Sequence, residues 1–177
     1  TVASFDATAA KAVPGVVDVK QVPTGVVVYA KGFWPAKMGR DALKITWDDS
    51  KAEKRGTQQL LNEFRGLSKT AGKAVKTEGD VEAEVAKPGG RIIEAEFVFP
   101  YLAHAPMEPL NAFIHWQGDT VTSRYGSQFP TPDQAAIAKI LGVPMDKVSL
   151  KTIFAGGSFG RRAQQTVHVA AELAEVA

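Results

Sequence analysis

The stretch that most constrains this chain is Phe154-Ala155-Gly156-Gly157-Ser158-Phe159-Gly160-Arg161-Arg162, where an apolar, β-branched run gives way abruptly to glycine. Residues 148–154 read as a strand, and the apolar spacing after Arg162 reads as an amphipathic helix into which the loop opens. A strand, a glycine loop and a helix in that order can present backbone N–H groups to an anion. The same glycines serve equally well for a tight turn or for close approach of helix and strand. The commonest nucleotide loops are not matched. The Gly-Lys-Ser/Thr ending of a phosphate-binding loop is missing, and Ala155-x-Gly157-x-x-Gly160 only grazes the dinucleotide fingerprint.

Upstream of the loop the apolar period switches between 2 and 3.6 residues, which predicts an α+β fold. Ser4 is placed to cap a short helix carrying Ala9, Ala10 and Val13, ended by Pro14-Gly15. The β-branched runs 16–22 and 26–30 flank Pro23-Thr24-Gly25 and predict a hairpin. Trp34, Met38 and Leu43 share a helical face with a weak point at Gly39, and 44–47 reads as a strand. Leu60, Leu61 and Phe64 predict an amphipathic helix over 56–66, with Leu67 extending its face. Residues 68–90 mix lysines, acids and glycines without a sustained period, as a connection does, so a boundary near Lys87-Pro88-Gly89-Gly90 divides the chain into 1–87 and 88–177. In the second part Ile93, Ala95, Phe97 and Phe99 alternate as a half-buried strand ended by Pro100. Residues 112–116 and 120–125 predict a second hairpin, and Thr131-Pro132-Asp133-Gln134 has the form of a capping box opening a helix through Ile137, Ile140 and Leu141 to Gly142.

Composition excludes several classes. The 21 basic and 19 acidic residues leave a net charge of +2 with no basic stripe, so nucleic acid is not an expected partner. Without cysteine the chain can hold neither a disulfide nor a thiolate metal site, and no iron–sulfur cluster through cysteine. No apolar run approaches the roughly 20 residues that span a bilayer. The chain begins at Thr1, and its last periodic segment runs uncapped into Ala177, so an excised fragment is expected. The compartment, cytoplasmic or periplasmic, stays open.

A second unusual segment, Ala103-His104-Ala105-Pro106-Met107-Glu108-Pro109-Leu110-Asn111, concentrates polar residues among prolines. His104, Met107 and Glu108 can line a pocket. Their ordinary roles are a loop hydrogen bond for His104, core filling for Met107 and a structural pair for Glu108, since a buried carboxylate needs a partner. His115 and His168 lie too far from other ligands in sequence to read as a metal site. Ser158 and His168 lack the nucleophile elbow of a hydrolase.

Gly156-Gly157-Ser158-Phe159-Gly160-Arg161-Arg162 resembles the Gly-Gly-Gly-Phe-Gly motif of the molybdopterin-binding subunits of the xanthine dehydrogenase and aldehyde oxidase superfamily. The Gly-Arg-Arg that follows Phe159 is similar to the branch containing isoquinoline 1-oxidoreductase β-subunits and related aldehyde dehydrogenases, and 103–109 resembles that branch's upstream signature. Val13-Pro14-Gly15-Val16 with Ala42, Leu43 and Trp47 resembles the α/β hammerhead domain. The resemblance implies part of a hammerhead domain with its linker over 1–87, then the first part of the molybdenum-cofactor-binding region over 88–177. It implies a subunit of a molybdenum hydroxylase that oxidises a small N-heterocycle or aldehyde with water-derived oxygen and passes electrons to a [2Fe-2S] partner subunit. The implied cofactor is molybdopterin, as the cytosine dinucleotide, in the full-length protein, and none in the isolated fragment.

By the same resemblance, Gly156, Gly157, Ser158, Phe159 and Gly160 lie beside the cofactor. Arg161 and Arg162 either pair with its phosphate or carboxylate groups or are ordinary solvated charges at a helix start. His104, Met107 and Glu108 are the implied substrate pocket. No residue of this chain is an implied metal ligand, and none is catalytic, because the family's general-base glutamate lies beyond Ala177. The fragment alone is expected to be inactive. Ser158 stands where a third glycine is usual, Leu102 where many members have a glutamine, and Ala163 near a purine-recognising glutamate, so purine oxidation is not implied. The alanine-rich helix ending at Ala177 is expected to leave an apolar stripe exposed and to drive self-association of the fragment. The alternatives are a non-catalytic scaffold that contacts an iron–sulfur subunit, with the glycine loop purely structural, and a small anion-binding protein complete at 177 residues.

Overall fold

Helices and strands are mixed along the chain, with two departures from the expected order, at residues 2–6 and 91–99. A computed structural model describes residues 1–177. In chain order the elements are β1 (Val2–Asp6), α1 (Thr8–Lys11), β2 (Val16–Val22), β3 (Gly25–Ala30), α2 (Phe33–Ala42), β4 (Lys44–Trp47), α3 (Thr57–Leu67), α4 (Val81–Val85), β5 (Phe113–Gln117), β6 (Thr120–Tyr125), α5 (Pro130–Leu141), β7 (Val148–Thr152) and α6 (His168–Glu175). The fold is α+β. It divides into two compact units, Thr1–Ser50 together with Leu102–Ala177, and Lys51–Tyr101. No helix is long and apolar enough to cross a membrane.

In the larger unit β2 and β3 form the expected hairpin, with Val19 opposite Val28 and Gln21 opposite Val26. Ser4 caps no helix. It lies in β1, opposite Thr46 of β4, and α1 begins only at Thr8, whose N–H bonds to Asp6 Oδ1 at 2.9 Å. A strand partner far along the chain outweighs a local capping signal. Gly39 is a weak point of α2 only in isolation. A Cβ there would sit 2.8 Å from Val16 Cγ2 and 2.9 Å from Val28 Cγ1, so glycine lets the helix lie directly on the hairpin. Gly39→Ala sets a helix-propensity gain of about 1 kcal/mol against an overpacking cost of about 1–3 kcal/mol. The expected net result is a lower melting temperature by calorimetry, and a rise would show that the contact relaxes freely.

The site-bearing part of this unit is a three-stranded sheet in the order β5-β6-β7, with β5 and β6 antiparallel and β6 and β7 parallel. On β6, Val121, Ser123 and Tyr125 are buried while Arg124 is exposed, the alternation a one-sided strand requires. Val121, Tyr125 and Val148 meet Ile137 and Ala138 of α5 and Ala170, Leu173 and Ala174 of α6 in one core. The stripe of α6 expected to stay exposed is therefore covered within the chain.

Helix α5 spans what its apolar spacing predicts and ends at Gly142 in the left-handed conformation (φ 68). Its start is not a capping box. The helix begins at Pro130, Asp133 is buried and accepts from Ser127 Oγ at 2.6 Å, and Gln134 Nε2 donates to Val148 O at 2.7 Å and Met145 O at 3.1 Å. A buried carboxylate must be hydrogen-bonded, and the Ser127 hydroxyl supplies a donor. Nearby Tyr125 is 1% exposed, and burial, assisted by Asp133, pushes its hydroxyl pKa up.

The smaller unit contains α3, as the apolar face of Leu60, Leu61 and Phe64 predicts, and α4, capped by Asp80 Oδ1, which accepts from Ala83 N–H at 3.0 Å. Arg65 Nη2 bonds to Glu96 Oε1 at 2.6 Å. The strand expected over 91–99 does not form, and Ile93, Phe97 and Phe99 are 76%, 76% and 82% exposed. Alternation marks which side chains a strand would bury, but a strand also needs a ladder partner, and this unit contains no other strand.

Candidate functional site

The glycine loop leaves the end of β7. The last parallel pair joins Tyr125 to Thr152, and Ile153 N–H still reaches Tyr125 O at 3.2 Å. The chain then crosses Gly126, where a Cβ would lie 2.5 Å from Ala155 Cβ. At Gly156 it meets the 104–109 segment: Gly156 N–H donates to Glu108 Oε2 at 2.5 Å, and Glu108 N–H donates back to Gly156 O at 3.2 Å. The two unusual sequence segments are thus joined by one residue pair.

Glu108 accepts further bonds through Oε1, from Asn111 Nδ2 at 2.6 Å and from Arg162 Nη2 at 3.5 Å. The Gly156 N–H, then Asn111 and the Arg162 charge, hold its carboxyl below the usual carboxylate range, so it is ionised at neutral pH. Arg162 is not a solvated charge at a helix start. Its side chain has 0% exposure, against 34% for Glu108, and α6 begins only at His168. The intervening turns include Phe159 and Val167 at φ 53 and 45, which no continuous right-handed helix accommodates. Arg162 Nε and Nη1 are buried without a protein partner. Such donors mark a local excess of unsatisfied positive charge.

A second tie holds the loop at Ser158. Its Oγ donates to Gln128 Oε1 at 2.6 Å and accepts from Arg162 N–H at 3.1 Å, while Gln128 N–H reaches Arg162 O at 3.4 Å. Between and beyond these ties the N–H groups of Gly157, Ser158, Phe159 and Gly160 bond to no protein acceptor, and Gly157 and Gly160 adopt φ +98 and +87. Phe154 and Phe159 are exposed, and Arg161 is half-buried.

Of the residues expected around a pocket, only Glu108 is bonded to the loop. Met107 is 95% exposed and so fills no core, while His104 is exposed and forms no side-chain hydrogen bond, as is Leu102 at 80%. His168 Nε2 is buried without a partner. The structure brings together no cluster of His, Asp and Glu able to hold a metal ion. Sequence reasoning missed Gly126, Gln128 and the role of Asn111. Only Gly126, sitting immediately after a strand that pairs with β7, carried a readable signal.

The molybdopterin cofactor-binding domain family matches residues 67–177. This chain belongs to that family. It is 32% identical over 164 residues to the isoquinoline 1-oxidoreductase subunit beta of Brevundimonas diminuta, covering 87% of this chain and 21% of that protein. It is 29% identical over 185 residues to the membrane-bound aldehyde dehydrogenase [pyrroloquinoline-quinone] of Gluconacetobacter polyoxogenes, covering 99% and 24%. The chain thus spans about a quarter or less of these relatives. The quinoline 2-oxidoreductase of Pseudomonas putida 86 has a similar fold, with a TM-score of 0.59 at 16% identity over 96% of this chain and 27% of that one.

The donor set of the glycine-loop stretch suits an anionic group. Buried guanidinium donors lacking a partner and four uncommitted N–H groups belong to the same short stretch of chain, whose glycines present no side chain.

Proposed function

We propose that Gly156, Gly157, Ser158, Phe159 and Gly160, with Arg161 and Arg162, hold molybdopterin in the full-length protein, as the cytosine dinucleotide. The observation that carries this reading is Arg162, buried with Nε and Nη1 unpaired, on the same short stretch as the loop's open N–H groups. When bound, this cofactor supplies two-electron redox chemistry and the transfer of a water-derived oxygen. The chain supplies N–H donors, a guanidinium and a loop fixed by the Glu108 and Ser158 ties. Residues 1–87 are read as a hammerhead-like unit with its linker, and 88–177 as part of the cofactor-binding domain.

The parent protein is then a molybdenum hydroxylase that oxidises an N-heterocycle or aldehyde and passes electrons to a [2Fe-2S] partner. Two relatives named for isoquinoline and aldehyde oxidation support this substrate range. His104 and Met107, exposed on the segment that carries Glu108, are proposed to face the substrate. A structural-loop reading has one supporting observation, that Glu108 already occupies the Gly156 N–H.

Molybdenum content of the full-length protein from its native host, with its intact mass, separates these readings. About one molybdenum per chain on a much larger polypeptide is expected. A chain without molybdenum, or one carrying only a quinone as the aldehyde dehydrogenase's name would have it, overturns the proposal.

A further inference from the structure

Glu108 sits where a pocket-lining acid was expected, yet every bond its carboxylate makes is to the chain itself. Oε2 takes the Gly156 N–H at 2.5 Å, and Oε1 takes Asn111 Nδ2 at 2.6 Å and faces Arg162 Nη2 at 3.5 Å. Its own N–H closes the ring by donating to Gly156 O at 3.2 Å. Both carboxylate oxygens are therefore committed, to one donor of its own segment, Asn111, and to two of the glycine-loop stretch, Gly156 and Arg162. Charge-assisted bonds of this kind are the strongest a carboxylate makes. The fit is also steric, because any side chain at 156 would meet Glu108 Cβ at 2.6 Å.

We infer that Glu108 is a positioning residue, a latch that fixes the start of the glycine loop, and not a group that touches substrate. It pins Gly156, and Ser158 pins the far side through Gln128 and the Arg162 N–H. Between and just beyond these ties the N–H groups of Gly157, Ser158, Phe159 and Gly160 meet no protein acceptor. The ionised carboxylate also partly offsets the Arg162 charge, leaving Nε and Nη1 as the unpaired donors. This deepens the cofactor reading and rests on it for its purpose, but the latch itself is a property of the chain.

The test is site-resolved amide hydrogen exchange on the full-length protein, comparing wild type with Glu108→Ala and the isosteric Glu108→Gln. In Glu108→Ala the Gly156 amide is expected to exchange at least about tenfold faster, with amides of β6 unchanged. Glu108→Gln, which keeps one acceptor oxygen, is expected to fall between. Unchanged exchange at Gly156, or an equal rise in the loop and β6, overturns the latch. The two readings fail separately. A wild-type protein without molybdenum whose Gly156 amide is protected only when Glu108 is present keeps the latch and loses the cofactor. A molybdenum-loaded protein indifferent to Glu108→Ala does the reverse.

Discussion

Gly156→Ala in the full-length protein is expected to lower molybdenum content at least about tenfold and turnover by about 100-fold, the loss typical of a displacement near 1 Å at a reacting site. The added methyl would lie 2.6 Å from Glu108 Cβ and 3.0 Å from Oε2, so loop and carboxylate cannot both stay in place. Whichever moves, the Gly156 N–H loses its acceptor. Gly25→Ala is the matched control, because a Cβ at that position meets nothing within 4 Å. Wild-type molybdenum content and turnover in Gly156→Ala would show that the loop's placement does not matter to the cofactor.

The second large effect is on stability. Ile137 has 0% exposure and packs in the core formed by β6, β7, α5 and α6. Ile137→Ala removes buried methyl groups and leaves a cavity, at a cost of about 2–5 kcal/mol. For a chain of this size that corresponds to a fall in melting temperature of about 5–15 °C. Thermal unfolding by circular dichroism measures it, and a shift of under about 2 °C would mean that α5 does not rest on the sheet as described. The helix also carries Asp133, the acceptor for Ser127, which directly precedes the Gln128 that ties Ser158. Loosening α5 is therefore expected to reach the loop through that short run of chain.

What the sequence revealed and what it concealed divide along the range of the interactions. The hairpin over Val16–Ala30, the span of α5 and the glycine loop are written in neighbouring residues, and each was legible from apolar period and turn chemistry. Glu108 was legible as a carboxylate that needs a partner, although the partners themselves were not. Ser4, Thr131 and residues 91–99 misled because each carries a good local signal whose outcome depends on distant chain. Ser4 is claimed by a strand pairing with Thr46, the Thr131 signal gives way to the buried pair of Asp133 and Ser127, and 91–99 lacks a neighbouring strand. The burial of Arg162 was likewise invisible, since a doubled arginine after a loop ordinarily faces water.

The serine in place of a third glycine settles a matter of proton arithmetic. A hydroxyl has one hydrogen, and Ser158 gives it to Gln128 Oε1 while its Oγ accepts from the Arg162 N–H. Gln128 turns its oxygen toward Ser158 in this arrangement. Gln128 is itself exposed. A glycine at 158 would remove both bonds, so the serine is what ties the Gln128 side chain to the backbone at Arg162 across the border of the loop.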